Sequence, residues 1–380
     1  MQTEVQHELI ERFRRHKVGR TSDLAAEPMV LSVDAYTSPQ RLALERDALF
    51  RRRPVVAALT ADVPDAGDLL ATHVDGLPLI IMRGADGEIR SFVNACRHRA
   101  APVVEGRQHG VTTLNCPFHA WVYDSDGRLM SQPLGRGCFD VEGRSSNLER
   151  VSCEELDGLI MVRLDGEHFD ARDYLAGCSD DLVSFGLSTF RHVETRTATH
   201  ECNWKMIVDT FLEAYHVFSL HRSSIAPLYY SQPHLYDAFG PHCRAIGVRR
   251  SIDEVGDDHE QWSFPPHATI HYLFFPNVFI VHQLDHFETW RIFPEGDDPD
   301  RARVETAVYA PAHLVDTHRG RWLKNLDVLL SVTNEEDFTM CRAMHRNLKL
   351  GAVESVVIGR NEAPMIQFHR QVLAAIAGTT

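Results

Sequence analysis

At 380 residues with a formal charge of −14, the chain is too long for a single core, since cores stop growing at roughly 250–300 residues, and too acidic for a general nucleic-acid binder, which needs a basic face. No stretch approaches the roughly 18 consecutive apolar residues of a membrane span, and the start, MQTEVQHELIERFRR, lacks the apolar run of a signal peptide, so a cytoplasmic protein with neither membrane nor nucleic-acid partner is expected. Eight scattered cysteines fit a reducing compartment better than a disulfide framework, while 22 histidines are enough for some to be ligands.

Residues 1–45 read as a helical segment. In SPQRLALERDALF, Ser38 stands as a cap ahead of apolar residues at helical spacing. Over 46–165 the pattern changes to short strands and turns. LIIMRGADGEIRSFVNAC reads as a hairpin turning at Gly84–Gly87, and WVYDSDGRL repeats the device at Asp126 and Gly127. This stretch predicts a small all-β domain. Residues 166–380 are mixed: a long helix over about 203–219, strands in TIHYLFFPNVFIVHQLDHFETWRIFP and RVETAVYAP, then helices over 313–348 and 362–377. An α+β fold follows, in which an antiparallel sheet wraps on a long helix.

The first chemical signal lies in the β segment. Cys96-x-His98 and Cys116-x-x-His119 each place one thiolate and one imidazole on a short loop. Two such loops can hold a two-iron cluster, one iron taking both sulfurs and the other both nitrogens, at a potential of roughly −150 to +300 mV. A structural zinc on the same four residues is the alternative, although zinc fingers order their ligands differently.

The second signal is NWKMIVDTFLEAYHVFSLH. Asp209, Glu213 and His216 fall at i, i+4 and i+7 on one face of an otherwise greasy helix. Such a stripe is commonly a solvent face. Here it is narrow and almost without Lys or Arg, so its buried polar groups need partners, and a metal would supply one. His216 and His221 lie about 140° apart on an ideal helix, and they reach one ion if the helix ends or loosens between them. With one carboxylate they would form the facial triad of a mononuclear Fe(II) site, leaving positions open for dioxygen.

Both signals resemble one family. CRHRA and CPFHAWVYDSDG resemble the two cluster loops of a Rieske [2Fe-2S] domain, and DTFLEAYHVFSLH resembles the catalytic helix of Rieske non-haem iron oxygenases. The likeness runs from about residue 45 to 375, to the large, alpha subunits of aromatic ring-hydroxylating dioxygenases of the alpha-only type. Ala100 and Ala120 stand where glycine is common in these loops, and alanine tolerates positive φ poorly.

The resemblance implies an all-β Rieske domain followed by a helix-grip catalytic domain, with the N-terminal segment packed on the latter. Cys96, His98, Cys116 and His119 would hold the cluster, and His216 and His221 the mononuclear iron. Glu213, where many relatives have aspartate, would link the iron site to the Rieske histidine of a neighbouring subunit, with Asp209 supporting it. The third iron ligand would be Asp337 in VTNEEDFTMCRAMHRNLKLG, with Glu335, Glu336 and Asp327 within reach.

By the same likeness the protein is a terminal oxygenase and a head-to-tail homotrimer. It would use O2 and NAD(P)H-derived electrons, passed on by a ferredoxin and/or a flavin reductase, to hydroxylate or dihydroxylate a small aromatic substrate. Monooxygenation of a quaternary ammonium or other amine or ether, with C–N cleavage or demethylation, is the alternative. A Rieske electron carrier with a degenerate second domain is a rival of another class. Arg97, Arg99 and Arg107 are candidates for docking an acidic electron donor. Phe211, Phe218, Tyr229, Tyr230, His271, Phe274, Phe279 and His282 are candidates for lining the pocket.

Overall fold

The computed structural model describes residues 1–135, 137–256, 258 and 262–378. It divides into two compact units, one of residues 50–174 and one of residues 1–49 with 175–380. No helix among the described residues is long and apolar enough to cross a membrane.

The unit of residues 50–174 is built on β structure. A seven-stranded sheet includes the hairpin of Leu77–Arg83 and Ile89–Val93, and a three-stranded sheet holds Thr113–Asn115, Val122–Asp124 and Leu129–Ser131. Between them lies a core of Phe92, Leu114, Trp121 and Tyr123 that also takes in Cys96 and Cys116. Gly127 closes the second turn at φ +75°, and a Cβ there would lie 2.6 Å from the Phe92 ring. Only glycine satisfies both the backbone and the core at that point.

The other unit carries a seven-stranded antiparallel sheet. Its order is Phe190–His200, Ala302–Pro311, His286–Pro294, Val278–Gln283, Ala268–Phe274, His242–Val248 and Leu235–Phe239. The helix Ala312–Val332 buries Trp322 and Leu326 against Val193, Val308 and Ala310 of the sheet. On the sheet, Phe211 of the helix Trp204–Leu212 stacks on Phe279, with ring centroids 5.0 Å apart.

Two expectations need correction. Residues 1–45 are not helical throughout: Met29–Ser32 is a strand that pairs antiparallel with Ser355–Ile358. The helix expected over 203–219 stops at Leu212, and Glu213 is extended at φ −133° and ψ 146°. The carboxylate of Glu213 accepts the backbone N–H of Tyr215 and of His216. In a continued helix those N–H groups would bond the carbonyls of Phe211 and Leu212, so the side chain outcompetes the backbone ladder.

Candidate metal centres

The helix that leads to the first centre is fixed at its start. The Asn203 side chain accepts the N–H of Lys205 as an N-cap. Lys205, 1% exposed, is paired with the fully buried Glu45, which also accepts from Trp204 Nε1 at 3.3 Å. After the break at Glu213, Val217–Leu220 makes a single helical turn, with His216 at one end and His221 at the other. The two imidazoles end 5.2 Å apart, centroid to centroid. The break thus falls before His216, not between the histidines as the sequence had suggested.

Asp337 arrives from far along the chain. It ends Thr333–Asp337, a π-helical turn between the helices Ala312–Val332 and Phe338–Lys349, and such turns often mark functional positions. Its Oδ1 lies 3.3 Å from His216 Nε2 and 3.1 Å from His221 Nε2. The three ligand atoms all lie within 4.8 Å of one another.

Each histidine is held from behind. Glu213 takes His216 Nδ1, and Glu336 takes His221 Nδ1 at 2.7 Å while accepting from Ser224 Oγ at 3.0 Å. A carboxylate on Nδ1 sets the tautomer and turns the Nε2 lone pair inward. Burial disfavours a charged imidazole, yet Asp337 and Glu213 outweigh it and push His216 up to about 9. Burial would raise Asp337, but the facing imidazoles hold it below the ordinary carboxylate range. The cluster is therefore an electron-rich place that favours a cation, and two imidazoles with one carboxylate suit ferrous iron.

The other acids expected nearby stand elsewhere. Asp209 accepts from Tyr36 at 2.7 Å and pairs with His369 at 2.9 Å in a buried network. Glu335 is bonded by Ser331 at 2.9 Å, and Asp327 is exposed. The sequence offered Glu336 only as an alternative ligand. Its position next to Asp337 was the signal that could have identified it as the carboxylate behind His221.

A pocket adjoins the three donors. Its sheet wall follows the strand register: Ala245 opposite His271, His271 opposite Val281, Val281 opposite Glu288. One row over, Gly247, Thr269 and Gln283 line the same wall. Phe211, Phe218, Tyr229, Tyr230 and His271 line it as expected, whereas Phe274, Phe279 and His282 do not. Phe274 and His282 belong to the opposite alternation of their strands, and Phe279 lies under Phe211. Sequence reading missed Glu288, 5% exposed, although a lone acid within HFETWRIFP is itself a signal.

In the unit of residues 50–174 the two cluster loops share one backbone plan. Cys96 N–H bonds Ala101 O and Ala100 N–H bonds Cys96 O, while Cys116 N–H bonds Trp121 O and Ala120 N–H bonds Cys116 O, at 2.8–3.0 Å. Both plans need a left-handed residue at the fifth position, and Ala100 (φ 59°) and Ala120 (φ 56°) adopt it despite their Cβ. Cys96 and Cys116 are each 3% exposed. Burial pushes the Cys96 thiol up, with Cys116 beside it adding to the rise.

His98 Nδ1 and His119 Nδ1 face each other at 3.2 Å, and the His98 ring stacks on Trp121. Two neighbouring thiols and two facing ring nitrogens are the donor chemistry of a Cys2His2 two-iron cluster. Of the arginines beside these loops, Arg107 is committed to buried Asp62 at 2.8 Å and is not free to dock a partner. Arg97 pairs with Glu149 at 3.1 Å, and Arg99 lies over the Phe118 ring.

The family model for the ring-hydroxylating alpha subunit (catalytic domain) matches residues 187–378, and that for the Rieske [2Fe-2S] domain matches residues 53–142. The chain is 28% identical over 188 residues to the glycine betaine monooxygenase oxygenase subunit of Chromohalobacter salexigens, covering 49% of this chain and 42% of the relative. It is 28% identical over 206 residues to the anthranilate 1,2-dioxygenase large subunit of Acinetobacter baylyi, covering 52% and 44%. The match thus spans less than half of either relative's length. Among solved structures, the quaternary ammonium Rieske monooxygenase CntA, in complex with inhibitor MMV12, shares the fold at a TM-score of 0.78 and 20% identity, covering 93% of this chain and 95% of that one.

Proposed function

The chain belongs to the ring-hydroxylating alpha-subunit family and carries a Rieske [2Fe-2S] domain ahead of its catalytic domain; on that premise we propose that it is the terminal oxygenase component of a Rieske non-haem iron system. The observation that carries this reading is the convergence of His216, His221 and Asp337 in a chain that also gathers Cys96, His98, Cys116 and His119. In this reading residues 46–165 hold the cluster, residues 166–380 hold the iron, and residues 1–45 pack on the latter. When bound, the cluster supplies single electrons and the iron supplies dioxygen activation.

The residues around the iron ligands have separate tasks. Glu213 and Glu336 hold the Nδ1 protons of His216 and His221, so neither ring can flip its donor nitrogen away from the ion. Asp209 braces the end of the preceding helix through Tyr36 and His369. Phe211, Phe218 and Val281 keep the pocket apolar beside the ligands. On the cluster side the thiols are buried and the His119 ring is exposed, which leaves the imidazole edge for electron exchange. The reading includes a homotrimer in which Glu213 meets His119 of the partner subunit, a ferredoxin or flavin reductase as electron donor, and a cytoplasmic location.

Hydroxylation or dihydroxylation of an aromatic compound is the substrate reading, supported by the apolar, aromatic pocket and the likeness to an anthranilate dioxygenase. Monooxygenation of a quaternary ammonium compound is the second reading. It is favoured by the likeness to glycine betaine and quaternary ammonium monooxygenases, and by Glu288 in an aromatic pocket, a combination that suits a cation.

Metal and sulfide analysis of anaerobically purified protein, with an EPR spectrum after reduction, tests the proposal. About three irons and two acid-labile sulfides per chain, with a Rieske-type signal, are expected. Zinc without sulfide would overturn it. Oxygen and NADH consumption with aromatic acids and with trimethylammonium compounds then separates the two substrate readings.

A further inference from the structure

The pocket wall is backed by a cation that no carboxylate answers among the described residues. Arg249 Nη2 donates to Thr269 Oγ1 at 3.0 Å and to Gln283 Oε1 at 2.7 Å, its guanidinium lies 5.2 Å from the Tyr229 ring centre, and its Nε is buried without a hydrogen-bond partner among the described residues. Among the described residues no Asp or Glu forms an ion pair with it. Glu288, one row away on the same sheet face, approaches His286 Nε2 through Oε1 at 3.5 Å and not Arg249.

Arginine is a donor only, so every hydrogen-bond chain that starts at Arg249 ends in a hydrogen turned away from it. Gln283 Oε1 is taken by the guanidinium, which fixes the amide orientation and leaves its N–H groups for the pocket that Gln283 lines. Thr269 Oγ1 accepts from Arg249, and its own hydrogen passes to Gln283 Oε1 at 3.1 Å or to the Tyr229 hydroxyl at 2.6 Å. In the second arrangement the Tyr229 hydrogen is released to a ligand. Tyr229, Thr269 and Gln283 line the same pocket as His216, His221 and Asp337.

We propose that this donor-terminated end of the pocket holds the carboxylate of a small organic acid substrate. Gln283 and Tyr229 supply the hydrogen bonds, and Arg249 acts through them as a positioning residue whose charge the carboxylate balances. The apolar side chains of Phe211, Phe218 and Val281 cover the body of the substrate. The inference rests on the oxygenase reading, in that it takes this pocket as the substrate site.

Isothermal titration calorimetry on the whole, metal-loaded protein under anaerobic conditions tests it, using small carboxylates matched with their primary amides: benzoate with benzamide, phenylacetate with phenylacetamide, and glycine betaine with its amide. The carboxylate of at least one pair is expected to bind roughly tenfold or more tighter than its amide. Arg249→Met should abolish that preference, and Arg249→Lys should keep part of it. Gln283→Leu and Tyr229→Phe leave the guanidinium in place and should each reduce the preference, so the test survives if Arg249→Met does not fold. A panel in which no carboxylate outbinds its amide, or a preference unchanged in both Gln283→Leu and Tyr229→Phe, overturns the proposal. Calorimetry reads binding and not turnover, so its failure is distinct from that of the oxygenase reading, which metal and sulfide analysis decides.

Discussion

Glu336 accepts a hydrogen bond from His221 Nδ1 at 2.7 Å and so turns the ring's other nitrogen toward Asp337. Without the carboxylate the imidazole is free to rotate and to change tautomer. Glu336→Ala is expected to weaken iron binding roughly 10- to 100-fold, read as faster loss of iron to a ferrous chelator. Glu336→Gln still offers an acceptor oxygen and should retain most of the affinity. Equal iron retention in Glu336→Ala and the parent would contradict this role.

Tyr123 makes a second such contact, at the cluster loops. Its hydroxyl lies 3.2 Å from Cys96 Sγ and accepts the Arg97 N–H at 3.2 Å, which leaves its hydrogen for the sulfur. Burial and the neighbouring Cys96 push the phenol well above its ordinary value, so it stays a donor throughout the accessible pH range. A donor to sulfur stabilises the more electron-rich, reduced cluster. Tyr123→Phe should lower the midpoint potential by about 50 mV, the equivalent of one hydrogen bond of roughly 1 kcal/mol. A redox titration followed by EPR measures it.

Ala120 sits at φ 56°, where an L side chain costs about 1–2 kcal/mol. Glycine removes that strain but adds freedom to the unfolded chain. Ala120→Gly should therefore stabilise the protein by no more than about 1 kcal/mol, seen as a higher urea midpoint, and Ala120→Val should lower it. A glycine variant less stable than the parent would show that the strain is relieved elsewhere.

His200 and His282 are each 6% exposed, and burial lowers both to about 4, helped at His200 by Arg342. Both are neutral in the fold. Between about pH 6.5 and 4 the unfolded chain takes up protons there that the folded chain does not, so stability falls on acidification through that window. The loss is roughly 1.4 kcal/mol per pH unit for each group and levels off below it. His282→Gln should make the acid limb of stability against pH shallower by about one group's share, as measured by chemical denaturation at several pH values.

What could be read along the chain was local. The two Cys–His pairs lie within short loops, so their spacing alone carried the cluster loops, and alternation and turn residues carried both β regions. Met29–Ser32 was misread because its pairing partner lies beyond residue 350. Periodicity also prolonged the helix through Glu213, since it cannot express a carboxylate competing with the backbone for the N–H of Tyr215 and His216.

Long-range closure decided the rest. Asp337 meets histidines more than a hundred residues earlier only because a π-helical turn interrupts two helices at that point. Arg107 is withdrawn by Asp62, and Arg249 is left facing Thr269 and Gln283, by the packing of segments that are separate along the chain. Residue identity and spacing determine which donors this chain owns. Which of them face one another, and which are already satisfied, depends on how buried polar groups are shared out once the sheet and helices close, and only the tertiary structure makes that allocation.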